Sequence, residues 1–196
     1  MRKLVAAVAG IPVLSLGLAL PASAAAPMSP AATSCGVWRW PVKTGSDADR
    51  FKVDKTAMVT TIHHLRSLKA PSSFVGFQRR RFRGAERHTW QLSSVRLTAY
   101  RIEDDSDIHL VIRNAAGKTM IAEIPSPGCV SRKSLWRSQI AAARKVFMAR
   151  DHATTSWKHV HQRITIRGLG FFDEIHDVTG QAPNGIELHP VTRVRF

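Results

Sequence analysis

Apolar and polar side chains alternate from Trp90 onward, in runs short enough to be strands. Trp90 and Leu92 hold one phase, and Val95, Leu97 and Ala99 hold the next. The slip at Ser93-Ser94 predicts a bulge. Ile108, Leu110 and Ile112 repeat with period two after the acidic turn Glu103-Asp104-Asp105. Asn114 to Gly117 read as a hairpin turn, and Lys118 to Ile124 as a third strand stopped by Pro125. Val160, Gln162, Ile164 and Ile166 form a fourth run, with His161, Arg163, Thr165 and Arg167 on its other side; Gly185 to Val194 form a fifth. Two stretches follow helical spacing instead. Ser134 is expected to cap a helix to about Ala149, with Leu135, Ile140, Ala143 and Phe147 available for its buried face. Asp54 is expected to cap another from Lys55 to about Leu68, carrying Met58, Ile62 and Leu65, before Lys69-Ala70-Pro71 ends it.

Three strands, a helix and two strands is the element order of the OB fold, a partly open Greek-key barrel. The expected class is therefore mainly β (α+β): a five-stranded OB-like barrel over about 90–196, with a helix between strands three and four and an added N-terminal helix. Residues 36–53, which hold Trp38 and Trp40, read as irregular. The run Arg79-Arg80-Arg81-Phe82-Arg83 reads as a solvated, mobile loop. Gly168 to Asp173, with His176 and Gly180, reads as a loop rich in Gly and Phe.

The first 24 residues change the compartment. Arg2 and Lys3 precede an uncharged stretch from Leu4 to Leu20, and Ala22-Ser23-Ala24 follows Pro21. A cationic start, an apolar run and small residues at a cleavage point predict a secretory signal peptide over 1–24. Residues 25–34 then form a flexible lead-in, and 35–196 a single domain of an exported protein. The two cysteines, Cys35 and Cys129, are an even count in that setting and favour a disulfide. The formal charge is +15, of which Arg2 and Lys3 supply two, so +13 remains after cleavage. Such an excess draws a protein toward polyanions, here nucleic acid or an anionic wall polymer.

Candidate chemistry sits on two strands with the same local arrangement, Asp107-Ile108-His109 and Glu187-Leu188-His189. Period-two geometry sends acid and histidine to one face and the aliphatic residue to the core, so both histidines are expected to point outward. In an OB barrel the second, third and fifth strands are neighbours, which would let His109, Glu123, Glu187 and His189 converge on one patch. Two imidazoles and a carboxylate suit zinc or another divalent metal, with His109, His189 and Glu123 as ligands, or general acid–base work. Asp173 and His176 form a second pair of ligand-binding candidates. No catalytic residue is assigned.

Four segments, Asp105-Ser106-Asp107-Ile108-His109-Leu110, Lys118 to Pro125, Gly170-Phe171-Phe172-Asp173 and Ala182 to Val191, resemble an uncharacterised family of secreted bacterial proteins. The family loop His-Gly-Gln-Thr-Gly stands here as His176-Asp177-Val178-Thr179-Gly180. A weaker likeness is to the thermonuclease type of OB-fold nuclease. It implies that Asp104, Asp105 or Asp107 holds calcium while a nearby glutamate activates water. The arginine expected on the third strand is missing, because Met120-Ile121-Ala122 stand there. The leading expectation is a secreted OB-like domain binding an anionic or metal-bridged ligand. A metal-dependent phosphodiesterase or nuclease and an envelope structural protein are the alternatives.

Overall fold

The computed structural model describes residues 34–196; the expected signal peptide and all but the last residue of the lead-in lie outside them. The described chain is mainly β with three α-helices. Six strands, β1 (Asp54–Thr60), β2 (His88–Ile102), β3 (Ile108–Arg113), β4 (Thr119–Ile124), β5 (Lys158–Phe172) and β6 (Ile186–Arg195), accompany α1 (Trp40–Lys43), α2 (Ile62–Ser67) and α3 (Arg137–Asp151). The strands pair in the order β1-β2-β3-β4-β6-β5, and β5 pairs again with β2. β2, β3, β4, β6 and β5 thus close a ring, with β4 and β6 parallel and β1 added in parallel to the start of β2.

The alternating aliphatics fill the inside of the ring. Leu92, Leu97, Ile108, Leu110, Ile112, Met120, Ile124, Ile166 and Leu188 form one buried cluster with Phe147 of α3 and Leu65 of α2. α3 buries Ile140, Ala143 and Phe147, as its spacing predicts, but starts at Arg137 without a side-chain cap. Ser134 serves the approach to it instead, accepting from Trp136 N and donating to Thr44 O. The expected bulge is present: β2 shifts register against β5 between Leu92 and Val95, and Ser94 adopts φ 54°.

Three expectations are corrected. The helix over Lys55–Leu68 is instead a strand followed by the six residues of α2. Thr56, Val59 and Thr60 are β-branched and stiff at χ1, which favours the pleated edge, and Thr61 rather than Asp54 caps the helix by accepting from His64 N. Ile62 and Leu65 are the buried part of that apolar set, while Met58 is exposed. The expected loop from Gly168 to Phe172 belongs to β5. A Cβ on Gly170 would stand 2.2 Å from Ala85 O, so glycine is there because the chain before β2 crosses directly against the strand. Third, Arg81 does not lie in a solvated loop. Its buried guanidinium donates to Asp47 Oδ2 at 3.0 Å and to the carbonyls of Val42 and Glu86.

Arg81 and a second buried arginine, Arg39, hold residues 36–53 against the outside of the ring. Arg39 forms a two-pronged pair with Glu86 at 2.7 and 2.8 Å and donates also to Phe77 O, Arg80 O and Phe172 O. The Cys35–Cys129 disulfide closes the same covering segment onto the chain that follows β4, across a separation of 94 residues. Replacing both cysteines by serine is expected to lower the unfolding free energy by about 4–5 kcal/mol on the chain-entropy account of a loop this long. A denaturant titration of the two proteins measures it. No helix among the described residues is long and apolar enough to cross a membrane.

Candidate metal centre

The four strand residues singled out by pattern meet. His109 stands directly opposite Glu123 in the β3–β4 ladder, and Ile121 of β4 pairs with Glu187 of β6. Register therefore sets His109, Glu123, Glu187 and His189 side by side on the outer face, across three neighbouring strands. Outer does not mean exposed. His109 is 1 % and His189 0 % accessible, so imidazoles that point away from the ring's core are nevertheless enclosed. Trp40 packs edge-on against His189 at 6.5 Å and Trp157 against His109 at 5.4 Å, while Phe171, also on the outer face, lies 5.6 Å from His189.

Each imidazole is fixed through Nε2. His109 Nε2 lies 2.9 Å from Thr179 O, and His189 Nε2 lies 3.1 Å from Asp107 Oδ2, whose other oxygen accepts from Ser126 N. A carbonyl can only accept, so His109 carries a proton on Nε2, and a carboxylate imposes the same on His189. Both Nδ1 atoms consequently face inward to one carboxylate. His109 Nδ1 is 3.2 Å from Glu123 Oε1 and 3.3 Å from Glu103 Oε1; His189 Nδ1 is 3.0 Å from Glu123 Oε2 and 3.8 Å from Glu187 Oε2. These separations are short, but neither nitrogen is aligned for a hydrogen bond. Among the described residues His109 Nδ1, His189 Nδ1 and Glu187 Oε2 have no hydrogen-bond partner. The contact is electrostatic.

Charge follows from that enclosure. Burial opposes the His109 imidazolium, yet Glu103 and Glu123 outweigh it and push its pKa up to about 10. Burial likewise opposes charge on His189, and Glu123 and Asp107 hold its pKa well above the usual histidine range. Burial would raise Glu123, but His189, His109 and Lys43 hold it well below the usual carboxylate range. Glu187 goes the other way: burial, with Glu123 and Asp173 adding to it, pushes its carboxyl up to about 7. Asp105 rises to about 6 through burial and the charges of Asp107 and Glu123.

A cavity of about 380 Å³ opens on this cluster, lined by Trp38, Lys43, Glu103, Asp105, His109, Glu123, Asp173, His176 and Glu187 among others. The second candidate pair is placed on it unequally. Asp173 Oδ2 binds Lys43 Nζ at 3.2 Å, whereas His176 is exposed, with its backbone N–H tied to Gln181 Oε1. Sequence reasoning missed Glu103 and Lys43. Glu103 lies in a turn and Lys43 in the covering segment, so neither belongs to an alternating run. Asp107 was seen as an acid beside a histidine, but its partner is the histidine of another strand. Asp104 is exposed, Asp105 lines the cavity, and the Asp107 oxygens are partnered by Ser126 N and His189 Nε2.

Two groups can hold an ion. Glu103, His109 and Glu123 each offer a ligand atom within 4.8 Å of the others, and so do Asp107, Glu123 and His189. Ligands about 2.0–2.1 Å from a tetrahedral ion stand about 3.3 Å apart, close to the Nδ1–carboxylate separations here. Asp107→Asn is expected to weaken zinc binding by roughly 10–100-fold, because it leaves His109, Glu123 and His189 in place but removes the carboxylate that orients the His189 ring and supplies an oxygen to the second group. Calorimetric titration of zinc into both proteins measures this. Comparison of the chain with family models, with curated proteins and with solved structures returned no match.

Proposed function

We propose that this chain is an exported OB-like domain that binds a divalent metal ion of the zinc type and, through that ion, an anionic ligand. The closed ring of β2, β3, β4, β6 and β5, with α3 between β4 and β5, supports the OB-like reading. The disulfide supports export. One observation carries the metal: two buried imidazoles are pinned through Nε2, and both turn Nδ1 toward the two oxygens of Glu123. Metal-ligating histidines are typically oriented this way, by a carboxylate or a carbonyl on the far nitrogen. Imidazole with carboxylate favours zinc, manganese or iron over calcium. Binding displaces the Nδ1 protons, so affinity falls as pH falls. Lys43 and the open side of the cavity leave room for an anion beside the ion.

The test is a calorimetric and thermal titration of chelator-treated protein with zinc, manganese and calcium. Zinc is expected to bind and to raise the melting temperature, and His109→Ala and His189→Ala each to remove both effects while the fold persists. If neither zinc nor chelation changes the melting temperature, the metal reading fails and the His/Glu cluster is a structural device of an envelope protein.

A metal-dependent phosphodiesterase is the second reading, favoured by Glu187. Its carboxyl lies near 7 and its Oε2 is unpartnered beside the cavity, which suits a general acid or base. Cleavage of plasmid DNA or RNA that stops with chelator and drops roughly 100-fold in Glu187→Gln is the expected result. Zinc binding without any turnover of these substrates restricts the domain to a binding role.

A further inference from the structure

A row of arginines lies on the same outer face, at the far end of β3 from the histidines. Arg113 follows His109 by four residues, about 13 Å along the strand. It stands directly opposite Arg96 of β2, and Arg96 stands directly opposite Arg163 of β5. Three guanidinium groups thus form one row across three strands. Like charges facing across a ladder destabilise it. Among the described residues no carboxylate lies within ion-pair distance of any of the three. Arg113 Nε is buried without a hydrogen-bond partner.

The row lines a cavity of about 240 Å³ whose other polar walls include the side chains of Thr60, Ser93 and Ser94. No acidic residue lines it. The bulge shapes this wall. Ser94 sits at φ 54°, a left-handed conformation costly for serine, and Arg163 Nη1 reaches its Oγ at 3.2 Å and its carbonyl at 3.4 Å. An alternating strand with no bulge would not turn Ser94 to meet Arg163.

We infer that Arg96, Arg113 and Arg163 form a site for a phosphate group, with the bulge hydroxyls as additional donors. Planar guanidinium forks match tetrahedral oxyanions in pairs of parallel hydrogen bonds. The bound charge also cancels the repulsion built into the row. The site shares no residue with the metal centre and does not depend on it. The phosphate comes either free or within a phosphodiester chain.

The experiment uses the whole purified protein, the double variant Arg96→Gln/Arg163→Gln, and the charge-matched control Arg132→Gln/Lys133→Gln, whose side chains are exposed elsewhere. Melting is followed against inorganic phosphate at constant ionic strength, and binding of a labelled oligothymidylate by fluorescence anisotropy. Without phosphate the double variant is expected to melt no lower than the native protein, because it relieves like-charge contacts. Phosphate at millimolar concentration is expected to raise the melting temperature of native and control proteins, with most of the shift lost in the double variant. That result assigns free phosphate. Oligothymidylate binding that weakens at least tenfold in the double variant alone, with no phosphate shift, assigns the phosphodiester chain. If the double variant matches native protein in both measurements, or the control loses as much as it does, the inference is overturned and the attraction is diffuse charge.

Discussion

Glu86→Ala is expected to lower the melting temperature by about 10–15 °C. Glu86 is fully buried and its two oxygens accept four hydrogen bonds, from Arg39 Nη1 and Nη2, Phe82 N and Phe172 N. Its removal strands the Arg39 guanidinium among aromatic rings, 4.9 Å from both Phe82 and Phe171. Breaking one side of a buried ion pair costs about 3–5 kcal/mol, because the remaining charge has no water and no partner. For a domain of this size each kcal/mol moves the melting temperature by about 2–4 °C. Calorimetry measures the drop; less than 3 °C would mean that the carbonyls of Phe77, Arg80 and Phe172 satisfy Arg39 by themselves. The effect also reaches the site. Arg39 immediately precedes Trp40, which packs against His189, so zinc binding is expected to weaken in the same variant.

Glu123→Gln is expected to weaken zinc binding by roughly a hundredfold or more, the largest loss of any carboxylate of the cluster. Each of its oxygens faces a different imidazole, at 3.2 and 3.0 Å, so one substitution removes an anionic ligand from both groups. Glu187→Gln is expected to cost less, since its nearer oxygen stands 3.8 Å from His189 Nδ1. Calorimetric titration at fixed pH ranks the two. Affinity of Glu123→Gln within threefold of the native protein would contradict a shared carboxylate.

Much of the ring was legible in the chain because strand pairing and burial leave a periodic trace. Ile108, Leu110 and Ile112, the phase slip at Ser93-Ser94 and the Asn114–Gly117 turn each follow from local rules, and each stands where the pattern puts it. The outer-face phase of His109, Glu123, Glu187 and His189 follows from the same alternation. Where glycine or a threonine-rich edge interrupted the pattern, local reasoning failed. Gly168 and Gly170 read as loop although they lie inside β5, and Thr56 to Thr60 read as helix although they extend the sheet.

The sequence by itself determined the strand phases, the cysteine pair and the face on which the histidines lie, because these depend on spacing along one chain. Only the tertiary structure decided that this face is covered. Arg39 and Arg81 find Glu86 and Asp47 and so lay residues 36–53 over the ring, which turns a surface patch into a buried cluster. It also brought Asp107 to His189, 82 residues away, and Glu103 and Lys43 to Glu123 and Asp173. Ion pairs of this kind carry no period. They depend on where three-dimensional closure sets two charges, and a single carboxylate or guanidinium in a sequence does not name its partner.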